Sequence, residues 1–211
     1  MLLPNVVMKF TTWNVRSLND SIKRCLVRDF LSRSAIDIVG LQESKLSNPS
    51  SRKLRSIGGK KLPHWCHLDS TEYRGGVLVG WSDSFSLIHS HVSIFSVLVF
   101  LHHKPSNWRF TSTSVYAPTD RDDGDVCWWE LNRVRDIFSG PWVLCGDFNT
   151  TLSSDERSDR NGSLRDINSF RDFISSASLI DLPLSGRSFT WSKKRLVPSM
   201  ARLDMYLVCV E

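Results

Sequence analysis

No Cys-x-x-Cys pair occurs among the five cysteines (Cys25, Cys66, Cys127, Cys145 and Cys209), and their number is odd. That excludes a disulfide framework and favours reduced thiols that fill core space in an intracellular protein. His64 and His67 flank Cys66 at a faintly metal-like spacing, but no second ligand pair accompanies them, so zinc is not expected. No run approaches the roughly 20 apolar residues of a membrane span. The longest, Ile94 to Leu101, is broken by Ser96, so a membrane is not an expected partner. The first nine residues lack a charged segment followed by a long apolar one, which argues against secretion. Internal repeats and low-complexity tracts are also missing. What remains is an ordinary globular composition, 41% hydrophobic and 23% charged over 211 residues, enough for a single domain spanning 1–211 with its own core.

The apolar periodicities are mixed along the chain. Val6 to Trp13 reads as a first strand that ends at Asn14, and Asp20 to Ser34 as a helix with a stripe at Ile22, Leu26 and Phe30, capped by Asp20 or Ser21. Ala35 to Leu41 reads as a second buried strand, running into Gln42 and Glu43. A crossover between the two strands would bring Asn14 and Glu43 side by side. Ser44 to Ser70 reads as loops with one short helix. Strands follow at Val77 to Trp81, Leu87 to Leu101 and Trp108 to Tyr116, the first opened by Arg74-Gly75-Gly76 and the last stopped by Pro118. A helix capped within Asp122 to Asp125 carries Val126, Trp129, Val134, Ile137 and Phe138. A second, with Ser163 and Asp166 at capping spacing, carries Leu164, Ile167, Phe170, Phe173, Ile174 and Ala177. Leu179 to Pro183, Phe189 to Ser192 and Leu203 to Cys209 read as short strands.

The stretch Pro141 to Thr150 stands out. An apolar run, Trp142 to Cys145, stops at Gly146, and Asp147 and Asn149 follow two residues apart. If the chain stays extended, both side chains fall on one side, where an anionic ligand and a neutral hydrogen-bonding group could meet one phosphate. A polar turn after a buried strand accounts for the same residues equally well. Net charge is +5, and basic residues cluster at Arg52, Lys53, Arg55, Lys60 and Lys61 and again at Arg187, Lys193, Lys194 and Arg195. With eight tryptophans in the chain, Trp191 beside Lys193, Lys194 and Arg195 offers a stacking face next to phosphate-binding charge. Solvated loop charge and core aromatics are the plainer alternative. Arg16 and Arg74 are open to either role, phosphate contact or rim charge.

Four segments, Trp13-Asn14, Leu41-Gln42-Glu43, Gly146-Asp147-Phe148-Asn149 and Arg202-Leu203-Asp204, each set an Asn, Glu or Asp at a strand boundary, in that order. With them the chain resembles the endonuclease/exonuclease/phosphatase superfamily. Met8 to Arg16, Arg74 to Val77, Ser114 to Pro118, Phe189 to Ser192 and Arg202 to Val208 are most similar to the endonuclease domain of plant non-LTR (LINE-type) retrotransposon polyproteins, where it is joined to a reverse transcriptase. The resemblance implies an α+β fold: a four-layer α/β/β/α sandwich of two mixed β-sheets with flanking helices. It implies a Mg²⁺-dependent DNA endonuclease, with Mn²⁺ as the alternative ion, working as a monomer inside the cell and with access to the nucleus. Glu43 would be the principal metal ligand with Asn14 beside it. Asp147 would orient or deprotonate the attacking water, and Asn149 and Tyr116 would hold the phosphate. Asp204 resembles the acid that orients the family's catalytic histidine.

That histidine belongs to a Ser-Asp-His motif on one further strand, and no such motif follows Asp204 before Glu211. None of the six histidines occupies a matching place. The expectation is therefore a C-terminally shortened domain with impaired activity. The alternatives are a non-catalytic nucleic-acid-binding or pseudogene remnant, and a phosphoester phosphatase of the same superfamily.

Overall fold

The computed structural model describes residues 7–138, 140–193 and 198–209. Strand β1 (Phe10–Asn14), helix α1 (Ser21–Arg33), β2 (Ile38–Gln42), α2 (Ser51–Gly58), β3 (His64–Leu68) and β4 (Val77–Trp81) form the first half. Then come β5 (Phe85–Val92), β6 (Ser96–His103), β7 (Trp108–Tyr116), α3 (Arg121–Ile137), β8 (Trp142–Asp147), α4 (Leu164–Ser176), β9 (Ile180–Asp181), β10 (Trp191–Lys193), β11 (Ser199–Ala201) and β12 (Asp204–Cys209). Among the described residues, a four-stranded sheet runs β1-β2-β4-β3 and a six-stranded sheet runs β5-β6-β7-β8-β12-β9, while β10 and β11 pair as a small ribbon. Both large sheets are mixed: β1–β2 and β7–β8 are parallel and the remaining neighbours antiparallel.

Three hydrophobic layers separate four layers of structure. One lies between the sheets, built on Ile38, Val77, Val79, Phe85, Val99 and Phe110. A second joins the four-stranded sheet to α1 and α2 through Val27, Leu31, Val39, Leu41 and Ile57. The third joins the six-stranded sheet to α3 and α4 through Trp128, Leu131, Leu144, Phe170 and Phe173. Strand alternation explains the assignment, since Ile38 points into the inter-sheet layer while Val39 and Leu41 point to the helices. Where β1 and β2 face β7 and β8, the inner layer turns polar. Buried Gln42 donates to Ser114 Oγ (2.7 Å) and Thr12 Oγ1 (2.9 Å), and Thr12 and Thr11 hydrogen-bond Cys145 and Tyr206 respectively.

Several expectations need correction. The α1 stripe Ile22, Leu26 and Phe30 is exposed, and Val27 and Leu31 carry the buried face instead. In α3, Val126, Trp129 and Ile137 are exposed, and Cys127, Trp128, Leu131 and Val134 are buried. The α3 helix starts at Arg121, so Asp125 lies inside it and ties it to α4 by accepting from Ser169 Oγ (2.7 Å). Most of the α4 face is as expected, with Ile167, Phe170 and Phe173 buried and Ser163 accepting from the Asp166 backbone N–H, but Leu164, at the first position of the helix, is exposed. Leu87 to Leu101 folds as two antiparallel strands turned at 93–95. Strand β3 lies within a stretch expected to be loop.

Near the end of the chain Arg202 organises the connections. Its side chain is only 9% exposed, and it donates two bonds to Asp181 (2.7 and 2.6 Å), one to Glu156 Oε1 (2.7 Å) and one to the Leu182 carbonyl (3.0 Å). Truncating it leaves two partly buried carboxylates without their partner. Arg202→Ala is expected to lower stability by about 3–5 kcal/mol. Urea unfolding monitored by tryptophan fluorescence checks this, and a loss under about 1 kcal/mol would reduce the cluster to a surface ion pair.

Candidate active site

Strand registers set the site. Across the six-stranded sheet Tyr116, Asp147 and Asp204 lie in one row, because Asp147 pairs with Tyr116 on one side and Asp204 on the other. In the four-stranded sheet Asn14 pairs with Gln42, and Glu43 follows immediately. The two rows meet at one rim of the sandwich, where Asn14 Nδ2 donates to Asp147 Oδ2 (2.8 Å). Close backbone approach needs glycine twice. A Cβ on Gly146 (φ 149°) would collide with the Val115 carbonyl, and one on Gly75 would lie 2.9 Å from Glu43 Cα and from Tyr116 Cε1.

Asp147 is buried, and both its oxygens accept: Oδ2 from Asn14, and Oδ1 from the Asn149 backbone N–H (3.1 Å). The second bond corrects the extended reading of this stretch. Asn149 is left-handed (φ 51°), and a turn, not strand alternation, brings it back to Asp147. Its Nδ2 donates to the Ala117 carbonyl (2.6 Å). Burial pushes the Asp147 carboxyl above its ordinary range, against the pull of its two hydrogen bonds, and the Glu43 charge adds to the rise. The Tyr116 phenol hydrogen-bonds Glu43; burial and then the Glu43 and Asp147 charges push it up to about 12, so it stays a donor at ordinary pH. Glu43 is also left-handed (φ 54°), with its side chain 25% exposed and Lys45 Nζ 3.9 Å away.

Asp204 sits over a support that sequence reasoning missed. Thr190 Oγ1 accepts from the backbone N–H groups of Leu203 (2.9 Å) and Asp204 (3.0 Å), and its hydroxyl bonds the Asp204 carboxylate. Its only signal was its place in Phe189-Thr190-Trp191-Ser192. The other Asp204 oxygen, Oδ1, is buried without a hydrogen-bond partner among the described residues. Burial and the neighbouring Asp147 charge push this carboxyl up to about 6.

Two clefts open from this rim. One, of about 530 Å³, is lined by Asn14, Arg16, Asp147, Thr190, Trp191 and Asp204 among others. The other, of about 650 Å³, is lined by Lys45, Arg74, Gly75, Tyr116 and Pro118 among others. Trp191 is thus brought to the site, and Lys193 is exposed at the end of β10. Lys194 and Arg195 lie outside the described residues.

Residues 11–204 match the model of the Endonuclease/Exonuclease/phosphatase family. The chain belongs to that family. Its fold is similar to the endonuclease domain of TRAS1, a telomere-specific non-LTR retrotransposon, with a TM-score of 0.72 and 13% identity, covering 97% of this chain and 86% of that one. It is similar also to the AP endonuclease LMAP from Leishmania major (TM-score 0.72, 17% identity, 95% and 78% covered). A third likeness is to the 3′ phosphatase NExo from Neisseria, solved with a product DNA hairpin (TM-score 0.73, 22% identity, 96% and 86% covered). At these identities the likenesses establish the fold. No curated protein matches the chain in sequence. The family's members are typically hydrolytic nucleases or phosphatases, and the carboxylates and donors gathered here suit hydrolysis of a phosphoester. Among the described residues no helix is long and apolar enough to cross a membrane.

The Asp204 carboxyl holds its proton more tightly in the folded than in the unfolded chain. Folding is therefore opposed progressively as pH rises from about 4 to about 6, and the cost persists above. Asp204→Asn is expected to be more stable than the parent by about 2 kcal/mol at pH 7 and equal to it near pH 4. Urea unfolding at pH 4, 5, 6 and 7 measures this, and a difference that does not grow with pH would contradict it.

Proposed function

We propose that the chain is a divalent-metal-dependent phosphodiesterase that nicks DNA as a monomer, an endonuclease of retrotransposon type working where the cell holds its DNA. The observation that carries this reading is the convergence on one rim of Asn14, Glu43, Tyr116, Asp147, Asn149 and Asp204, joined across 133 residues by the Asn14–Asp147 hydrogen bond. The similarity in fold to the TRAS1 domain supports it.

The donors fit Mg²⁺, and Mn²⁺ as its substitute. Glu43 would hold the ion. Among the described residues Asn14 Oδ1 accepts a single 3.2 Å bond, from the Arg16 N–H, and so keeps a lone pair that could join the ion's shell. Among the described residues no three His, Cys, Asp or Glu side chains are placed to share a metal. Mg²⁺ commonly binds through one or two carboxylates and keeps several waters, so Glu43 with a neighbouring carbonyl oxygen is a sufficient donor set. When bound, the ion would supply positive charge against the charge developing on the phosphate. The protein does the rest. Asp147, oriented by Asn14 and Asn149, positions the attacking water and takes its proton, helped by a carboxyl that burial has made more basic. The second Asn149 amide proton, and the Tyr116 hydroxyl once a phosphate oxygen displaces its bond to Glu43, would donate to the phosphate oxygens. Asp204 Oδ1 is free to orient a donor from the leaving-group side.

A second reading rests on that same unpartnered oxygen. Among the described residues no histidine lines either cleft. A site that binds nucleic acid and cuts it slowly or not at all is consistent with this.

Nicking of supercoiled plasmid in Mg²⁺ against EDTA separates the readings. Mg²⁺-dependent nicking is expected, with Glu43→Ala slower by at least about 100-fold. Salt-sensitive binding without cleavage would favour the non-catalytic reading, and turnover of a small phosphomonoester without nicking would make the chain a phosphatase.

A further inference from the structure

We propose that Glu130, a buried carboxylate on the outer helix α3, is a positioning residue for the site: it clamps the turn between β5 and β6, and through that turn it fixes Tyr116 and the Arg74-Gly75 wall of the cleft. The effect on rate rests on the phosphodiesterase reading; the clamp itself does not. Ile94 N–H donates to Glu130 Oε2 (2.8 Å), Phe95 N–H is shared between Oε1 (3.2 Å) and Oε2 (3.3 Å), and Ser96 Oγ donates to Oε1 (2.9 Å). Three consecutive residues thus close on one carboxylate that comes from 34 to 36 positions further along the chain.

The core gives no reason for a charge at this position. Around it α3 buries Cys127, Trp128, Leu131 and Val134, and Glu130 itself is only 7% exposed. Burial pushes its carboxyl above the ordinary range, against the pull of its hydrogen bonds. Such a group is unfavourable inside a protein unless donors answer it. Here the donors are groups that the hairpin cannot satisfy by itself. The turn closes with one backbone bond, Ser93 N–H to the Ser96 carbonyl (3.0 Å), and among the described residues the Ile94 and Phe95 N–H groups have no backbone acceptor. Phe95 and Ser96 are buried, so water is a poor substitute for the carboxylate.

The clamped turn is the last support of Tyr116 on its side of the sheet. Tyr116 pairs with Asp147 in β8, but the β6–β7 ladder ends at Ser96 and Val115, and the Tyr116 N–H reaches past it to the Phe95 carbonyl (2.9 Å). The Phe95 ring packs in the layer of Trp128 and Leu131, and the Arg74 guanidinium lies over it, 5.2 Å from its centroid. Gly75 comes next, where a Cβ would lie 2.9 Å from Tyr116 Cε1. Ile94, Phe95, Arg74, Gly75 and Tyr116 all line the same cleft. A shift of the turn therefore moves the Tyr116 backbone and the seat of Arg74 together, and a displacement of about 1 Å is enough to slow a reaction.

Two substitutions in the full chain separate the clamp from mere packing. Glu130→Met keeps the length of the side chain and loses its acceptors. Glu130→Gln keeps an oxygen for the two N–H groups and turns its amide to the Ser96 hydroxyl, which can accept. Amide hydrogen exchange without metal reads the clamp directly. In Glu130→Met exchange is expected to rise about tenfold at 94–96, at Tyr116 and at 74–76 while β2 and β12 stay as in the parent, and Glu130→Gln should restore the parent pattern. For Mg²⁺-dependent nicking, Glu130→Met should lower kcat at least about tenfold with KM within about twofold, and Glu130→Gln should recover most of it. Ser169→Ala, which cuts the tie of α3 to α4, should leave both readouts unchanged. If Glu130→Met does not fold, Glu130→Asp, which draws the acceptors back by one methylene, supplies the same comparison. Faster exchange confined to 94–96, the parent's nicking rate in Glu130→Met, or equal losses in the Met and Gln variants would overturn the proposal. A parent that does not nick DNA would instead sink the phosphodiesterase reading, and exchange at Tyr116 would then judge the clamp alone.

Discussion

Two sheets that fold from distant parts of the chain are brought to one chemical point by the 2.8 Å bond between Asn14 and Asp147. Everything at the rim depends on that meeting. Tyr116 and Asp204 are placed by their pairing with Asp147, and Glu43 by following the strand that pairs with Asn14. The bond exists only because the sheets pack face to face with the ends of β1 and β8 at the same height. The three apolar layers fix that height. The site is a by-product of the core's geometry, which is why side chains from short, irregular strand ends can be held in fixed positions.

The same packing sets the electrostatics. Asp147 and Asp204 are largely buried beside one another; the Glu43 charge raises the proton affinity of Asp147, and the Asp147 charge that of Asp204. Such a concentration of negative charge is unfavourable for folding unless a cation or proton answers it. Left-handed Glu43 and Asn149 are a second local cost. Both are tolerated at the one rim where the chain brings unlike loops together, and the Arg202 cluster shows the contrasting solution, where opposite charges close on one another and leave little chemistry to do.

Much of this was legible in the residues, because an apolar or β-branched strand ending in Asn, Gln-Glu or Gly-Asp carries its own signal of a polar rim. The α4 face was legible too, since only one side of that helix is apolar. In α1 the period was plain but its phase was not: Ile22-Leu26-Phe30 and Val27-Leu31 are both apolar stripes, and only packing against the sheet selects the second. Strand β3, His-Trp-Cys-His-Leu, has no alternation to read and owes its form to pairing with β4. Asn149 reaches Asp147 through a left-handed turn that spacing alone does not reveal, and Thr190 acts through backbone bonds that have no sequence signature.

The polar seam between the sheets has one more implication. Gln42, Ser114 and Thr12 satisfy one another only in the observed alignment. A slip of β2 by one residue would turn Gln42 toward the apolar helix layer and leave its amide without partners, at a cost of about 1–3 kcal/mol. The seam lies directly beneath the rim. It therefore favours the one strand alignment in which the carboxylates come together over compact but misaligned sandwiches.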